Sequence, residues 1–379
     1  MHQRGLPPPG QPHPTRPAAE PCPQSDHRRT SGRPTVPSTT LAALTTLRLG
    51  GPTGDVLRIT DPDDWFELVR GIGARQEDAP LTLGRGSNVI ASDTGHEGIV
   101  AVMNNRGIAV KRLDDVTVAA TVQAGHPLGD LVQWAAAEHL AGIECLAGIP
   151  GTVGAAPVQN AGAFGQQVSD TLSQLSAWDW DMGRQRTLPA RACRLRYRHS
   201  RFKTQPGRWT ILTATFHLTR SPAAPIVYQP LADELGVPAG ARPPVAEVAA
   251  AVLANRCRRG LLLDLHAPDA RQAGSVFLNP PVTAAQAACW TAAGCPVHRD
   301  SDGQPRASAG WLLEHLGYRP GCEIAAGIRC SDRRTLTLTA HDGATATGLA
   351  QALTALSAQV ESATGIVLQP EPVLVGTWP

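Results

Sequence analysis

Residues 148–167, GIPGTVGAAPVQNAGAFGQQ, carry no formal charge and are dominated by glycine and alanine, nine of the twenty. A helix through so many glycines loses backbone entropy, and a strand of them has few side chains to pack. The stretch is therefore expected to run as exposed main chain, and the rest of the fold must give that main chain something to face. A second turn of this kind, GRGSN, lies at 84–88. Backbone N–H groups reach a phosphate only where no Cβ intervenes, so both turns are candidate pyrophosphate cradles. Each could equally be a tight turn between packed strands. Neither fits the dinucleotide fingerprint or the P-loop, because Val89 stands where a third glycine is needed and no G-x-x-x-x-G-K-[ST] occurs. The amides of Asn88, Gln159 and Asn160 can bond a pyrophosphate or the edge of a heteroaromatic ring without bringing a counter-charge.

The chain around these turns has 379 residues, enough for two or three domains with cores of their own. Its 34 Lys plus Arg nearly cancel 32 Asp plus Glu, so no global field attracts nucleic acid. The eight cysteines form no C-x-x-C pair and no His/Cys cluster at zinc spacing, and we read them as free thiols in a reducing cytoplasm, with no metal site. No apolar run approaches the roughly 20 residues of a membrane helix, and no signal-peptide apolar region follows Met1. Lysine occurs only as Lys111 and Lys203 in an arginine-rich chain, so each is worth attention.

Residues 1–37 mix Pro, Gly, Arg, His and Ser without apolar periodicity and read as a disordered leader. From Leu41 short apolar runs (VLRI, LTLG, GIVAVMN, VTVAATVQAG) alternate with turn residues, as strands do. Helical patterns lie between them: PDDWFELVRGIGA has acids and a proline at its start, and PLGDLVQWAAAEHL puts Leu128, Leu131, Val132 and Ala135 on one face. This mixed domain is expected to span 38–220, in lobes of about 38–106 and 107–220. The Pro-rich passage 221–244 reads as a linker or mobile loop. Beyond it come helices at VAEVAAAVLANRCR, TAAQAACWTAAG and SAGWLLEHLG, then a long one in which Leu349, Leu353, Leu356 and Val360 share a face and Gly365 supplies the C-cap. These make a C-terminal domain, 221–379.

Several stretches together resemble one known family. GRGSNVIASDTGHEGIV followed by GIECLAGIPGTVGAAPVQNAGAFGQQV is similar to the flavin-binding core of the UDP-N-acetylenolpyruvoylglucosamine reductases, the MurB family of peptidoglycan synthesis. TTLRLGGP, CRLRYRHSRFK, AGSVFLNP, SAGWLLEHLGYRPG and GIVLQPEPVLVG also match, in order, and Tyr228 sits where the type I branch carries a substrate-covering loop. The resemblance implies an α+β fold: a two-lobed FAD-binding domain of the vanillyl-alcohol-oxidase/PCMH type, followed by a smaller α/β substrate-binding domain. It implies reduction of UDP-N-acetylglucosamine enolpyruvate by NADPH through FAD, a step on which cell wall, cell shape and cell division depend. A cytoplasmic monomer binding small molecules, with no nucleic acid and no membrane as partner, is expected. A non-catalytic FAD- or UDP-sugar-binding paralogue, or another flavin oxidase on the same domain, is the alternative.

On this resemblance the FAD contacts fall on Gly84, Arg85, Gly86, Ser87, Asn88, Gly125, Gly148, Ile149, Pro150, Gly151, Gly154, Gln159, Asn160 and Gly162. The catalytic residues are Arg198, Ser275 and Glu371. Hydride addition beta to a carboxylate loads charge onto the alpha carbon and that carboxylate, so a guanidinium such as Arg198 must face it and a proton must follow from Ser275. Read without the family, RLRYRHSRFK is a solvated strand edge and AGS a turn. Glu371 lies between Pro370 and Pro372, which fix it in extended, stiff backbone. Substrate contacts fall on Tyr197, Tyr228, Arg259, Asn279, Arg306 and Glu323, with arginine at two positions where the family has lysine. Phe164, Gln167, His199, Val276 and Glu323 depart from the family's tyrosine, glutamate, aspartate, aromatic and glutamine.

Overall fold

The computed structural model describes residues 39–75, 78–263 and 267–378, so the expected leader lies outside the described residues. Near the start, strands Val56–Ile59, Val100–Met103 and Leu81–Leu83 lie side by side, all parallel, with Val100–Met103 in the middle. Buried on both faces, that central strand is apolar throughout, as a parallel strand between two layers must be. Helix Pro62–Arg75 follows the first strand. Its proline occupies a position whose N–H needs no partner, and Asp63 and Asp64 meet the positive end of the helix dipole. The helix buries Trp65, Leu68 and Ile72 against Ile59, Ala101 and Met103.

The next layer is an antiparallel sheet in the order Arg184–Pro189, Leu172–Asp179, Trp209–Arg220, Thr117–Gln123 and Ile108–Arg112, with Leu140–Ala141 beside Trp209–Arg220. Helix Leu128–Ala137 covers it with the face the sequence indicates: Leu128, Leu131, Val132 and Ala135 are all buried. Trp178 and Trp180 at the end of one strand meet Trp65 edge to face, with centroids 6.3 and 5.7 Å away, and so join this sheet to the first helix. Helix Val245–Arg258 packs into this same core through Val248, Ala249 and Val252.

A third layer is the antiparallel sheet Gln272–Ser275, Arg334–Ala340, Ile328–Ser331 and Glu323–Ala325, backed by helices Ala309–His315 and Ala346–Thr364. Leu349, Leu353, Leu356 and Val360 are buried, and Gly365, at φ 69°, ends the helix as expected. The carboxylate of Asp93 accepts from the N–H groups of Ala346 and Thr347, capping this late helix with an early residue.

Two features depart from expectation or lie beyond it. The Pro-rich passage contains helix Gln229–Leu235, and Ala223, Ile226, Leu231 and Ala232 are almost wholly buried, so it is a packed strap rather than a loose linker. Pro230 in the first turn and Gly236, at φ 64°, after the last are start and stop signals of a short helix. The other is the strand Val373–Val375, which runs back to pair in parallel with Val89–Ala91, immediately after GRGSN.

Candidate active site

That return strand sets the site. The N–H of Val373 donates to the carbonyl of Asn88 at 2.9 Å, and the N–H of Glu371 to the carbonyl of Val276, also at 2.9 Å. Pro370 bridges Phe277 on the same side. Glu371 is thus held in extended chain between the GRGSN turn and the end of strand Gln272–Ser275, and its own carbonyl accepts from Asn88 Nδ2 and Lys203 Nζ, each at 3.4 Å.

Glu371 faces a crevice of about 240 Å³ whose walls come from all three layers. Ser87, Asn88, Ile149, Pro150, Gln159 and Gly162 line it without side-chain charge; Arg198, Arg256, Arg259, Arg334, Ser275 and Tyr228 line it too. Arg198, Ser275 and Glu371, which come from three distant segments, therefore meet. Arg198 Nε lies 3.2 Å from Glu371 Oε1, and Arg198 Nη2 donates to the carbonyl of Gly162 at 2.6 Å. Its backbone has φ 50°, a left-handed conformation that an arginine adopts only under constraint from its surroundings. Ser275 Oγ accepts from Arg334 Nη2 at 3.4 Å. Gly274 beside it has φ 75°, and the position of its absent Cβ opens into free space, so a side chain there would enter the crevice.

Charge in the crevice is lopsided. Burial pushes the Glu371 carboxyl up, and Arg198, Lys203 and Arg334 only partly offset it. Burial lowers the Lys203 ammonium; Glu371 resists and Arg198 adds to the lowering. Arg256 falls to about 10 through burial and then repulsion from Arg334, Arg259 and Arg198, and Arg334 falls to about 10 through burial and then repulsion from Arg259. Arg256 Nε is buried with no hydrogen-bond partner among the described residues. One carboxylate against this many cations, one with an orphaned donor, suits a ligand that brings negative charge.

The glycine turns also pack closely on their neighbours through the faces where a Cβ would stand. A Cβ on Gly84 would come within 2.4 Å of Thr152 Oγ1, and one on Gly86, at φ 59°, within 2.2 Å of the carbonyl oxygen of Leu44. Gly125 and Gly154 likewise press on Asn105 and Ala124. These glycines let the two turns and their neighbours pack on each other, and the resulting wall is stiff. Gly148 and Gly151, at φ 71° and 123°, shape the second turn around Ile149 and Pro150. Arg85 is exposed and does not line the crevice.

The amides divide in the same way. Asn88 and Gln159 line the crevice and bond each other. Asn160 does not line it: at φ 46° and buried, it donates to Gln167 Oε1, Ser169 Oγ and the carbonyl of Arg196 and accepts from Ser169 N–H. Its role is to tie residues 160–169 to the turn bearing Arg198. Serine and amide loops read alike in sequence whether they face a ligand or their own chain, which is why this residue was expected at the ligand.

Of the residues expected at the substrate, Tyr228 and Arg259 line the crevice. Tyr228 meets Phe164 edge to face at 5.7 Å and His298 at 6.0 Å, so the strap bridges the second and third layers above the crevice. Tyr197, Asn279 and Arg306 form a neighbouring cluster. Arg306 lies 4.1 Å over the Tyr197 ring, pairs with Asp300 at 2.7 Å and donates to the carbonyl of Asn279 at 3.0 Å; Asn279 Oδ1 accepts from Ala309 N–H. Glu323 stands apart, exposed on the outer strand, 3.9 Å from Arg329. Arg256, Arg334 and Gly274 were not singled out in the sequence. Arg334 lies in SDRRTLTL, which carries no signal, whereas the scarcity of lysine did single out Lys203.

A family model for an FAD binding domain matches residues 56–188, and one for the C-terminal domain of UDP-N-acetylenolpyruvoylglucosamine reductase matches residues 266–375. The chain is 38% identical over 343 residues to the UDP-N-acetylenolpyruvoylglucosamine reductase of Salinispora arenicola, covering 88% of this chain and 94% of that one. It is 37% identical over 346 residues to the enzyme of the same name from Thermobifida fusca, covering 89% and 96%. Its fold matches the crystal structure of UDP-N-acetylenolpyruvylglucosamine reductase (MurB) from Thermus caldophilus with a TM-score of 0.59 and 22% identity, over 90% of this chain and 98% of that one.

Proposed function

The chain belongs to the UDP-N-acetylenolpyruvoylglucosamine reductase family, and we propose that Arg198, Ser275 and Glu371 act on an enolpyruvyl nucleotide held against a flavin in the crevice. It is an FAD-dependent oxidoreductase of peptidoglycan synthesis, a UDP-N-acetylmuramate dehydrogenase, and NADPH is its reductant. The carrying observation is that these three residues, from separate segments, converge on one crevice that the uncharged turns also line.

The residues present fit FAD. Ser87, Asn88, Ile149, Pro150 and Gly162 would hold it, since they give main chain and amides with no side-chain charge, and Gly274 leaves space where any other residue would intrude. When bound, FAD supplies a hydride carrier between NADPH and the enolpyruvyl double bond. The chain's own groups do the rest. Arg198, fixed by Gly162 and Glu371, faces the substrate carboxylate and stabilises the charge that grows there. Ser275 delivers the proton to the alpha carbon; the hydrogen bond from the Arg334 guanidinium eases loss of that proton from its hydroxyl. Glu371 keeps Arg198 in register. Arg256 and Arg259 meet phosphate or carboxylate charge in the crevice, and Tyr228 covers the substrate from the strap. The Tyr197, Asn279 and Arg306 cluster supports Arg198 from behind, with Tyr197 5.8 Å from its guanidinium. The reading includes a monomer working in the cytoplasm.

The test is a flavin spectrum with an NADPH assay. The purified protein should be yellow and should oxidise NADPH when UDP-N-acetylglucosamine enolpyruvate is added and not before. A protein that takes up no FAD on reconstitution would end this reading.

A further inference from the structure

A second concavity, of about 460 Å³, lies among residues of the same turn that carries Arg198. Arg191, Arg194, Arg196 and His199 line it with Leu195, and no carboxylate does. The three arginines are exposed, and none of their side chains has a hydrogen bond or ion pair among the described residues. Arg194 ends the short helix Ala190–Cys193 with φ 51° and ψ 44°, a left-handed C-cap that glycine would adopt without strain. An arginine kept there despite the strain implies a use for its side chain.

Guanidinium groups gathered in one hollow repel each other, and a multivalent anion removes that repulsion while offering each a bidentate partner. Four basic residues around one half-open hollow, on a chain whose net charge is +2, make no track for a nucleic acid. We propose that this pocket binds a small molecule bearing two or more phosphate groups, at a site separate from the crevice. Arg196 and His199 exchange backbone hydrogen bonds at 3.0 and 3.1 Å, and the carbonyl of Arg196 accepts from Asn160. A ligand drawing Arg196 and His199 together therefore acts on the loop that holds Arg198.

The experiment is a calorimetric titration of the flavin-loaded protein with inorganic tripolyphosphate at low salt. Wild type should bind one equivalent. The double variant Arg191→Gln, Arg196→Gln should bind about tenfold or more weakly, as expected for loss of charge-assisted hydrogen bonds. Arg194→Gly keeps the backbone conformation, so a weakened affinity there cannot be laid to misfolding. The crevice cations also meet phosphate, so Arg259→Gln should lose any uptake there while the pocket's one equivalent and its affinity stay unchanged. No binding by wild type, unchanged binding by the pocket variants, or a loss confined to Arg259→Gln would each overturn the proposal. Such failure leaves the reductase reading intact, because neither NADPH nor the enolpyruvyl nucleotide enters the titration.

Discussion

Ser275 is the residue whose assigned role is sharpest, since its hydroxyl has one described partner, Arg334, and otherwise faces the crevice. Ser275→Ala should leave flavin reduction by NADPH near wild type and slow transfer to the enolpyruvyl substrate by about a hundredfold or more, as loss of a general acid does. Stopped-flow traces showing equal damage to both half-reactions would contradict it. Glu371 carries a signature in pH. Its folded-state carboxyl is raised above the ordinary value, chiefly by burial, so the unfolded chain gives up this proton first as pH rises. The contribution to stability is then full below the unfolded value and is lost as pH climbs through the folded one. Glu371→Gln should lack that loss, and urea melts of both proteins from pH 4 to 8 will show whether it does. Asp179 has the opposite sign. Burial alone would raise it, but hydrogen bonds from Arg208 and Arg186 outweigh burial and hold it low. Asp179→Asn leaves two guanidiniums without their shared partner and should cost about 3 kcal/mol at neutral pH, a difference that shrinks as acid protonates the wild-type carboxylate.

At the scale of elements, the site depends on turns that pack on each other and on a strand that returns. Gly86→Ala would set a Cβ against the Leu44 carbonyl in a left-handed backbone, so a loss of about 2 kcal/mol and poorer flavin retention on dilution are expected. Val373→Pro removes the N–H that reaches Asn88, and should lower the thermal midpoint and slow turnover together by loosening Glu371. Elements with a strong local period were legible: the helices around Leu131 and Leu353 bury the faces that their spacing marks. The strap helix Gln229–Leu235 was missed because its prolines and glycines read as a loop, although Pro230 and Gly236 were its own boundary signals. The parallel pairing of Val373–Val375 with Val89–Ala91 leaves no local pattern at all, since either strand is only three residues long.

For the whole molecule, residues drawn from several of the family motifs line one crevice. Arg198, Ser275 and Glu371 were legible because each sits inside a matched motif, and the geometry brings them together. The side chain of Asn160, expected at a ligand, bonds Gln167, Ser169 and the Arg196 carbonyl, since sequence records residue type but not direction. Arg334 and Arg256 carry no motif, and only burial among other cations singles them out. Segments far apart in the chain line one crevice, which no single segment could build alone.

The late strand also bears on how the molecule comes into being. Glu371 leaves the ribosome 283 residues after Asn88, the residue it must join. While synthesis is under way the earlier layers can form, but the acid that steadies Arg198 is missing, so a chain stalled before this point should be redox-silent toward the enolpyruvyl nucleotide.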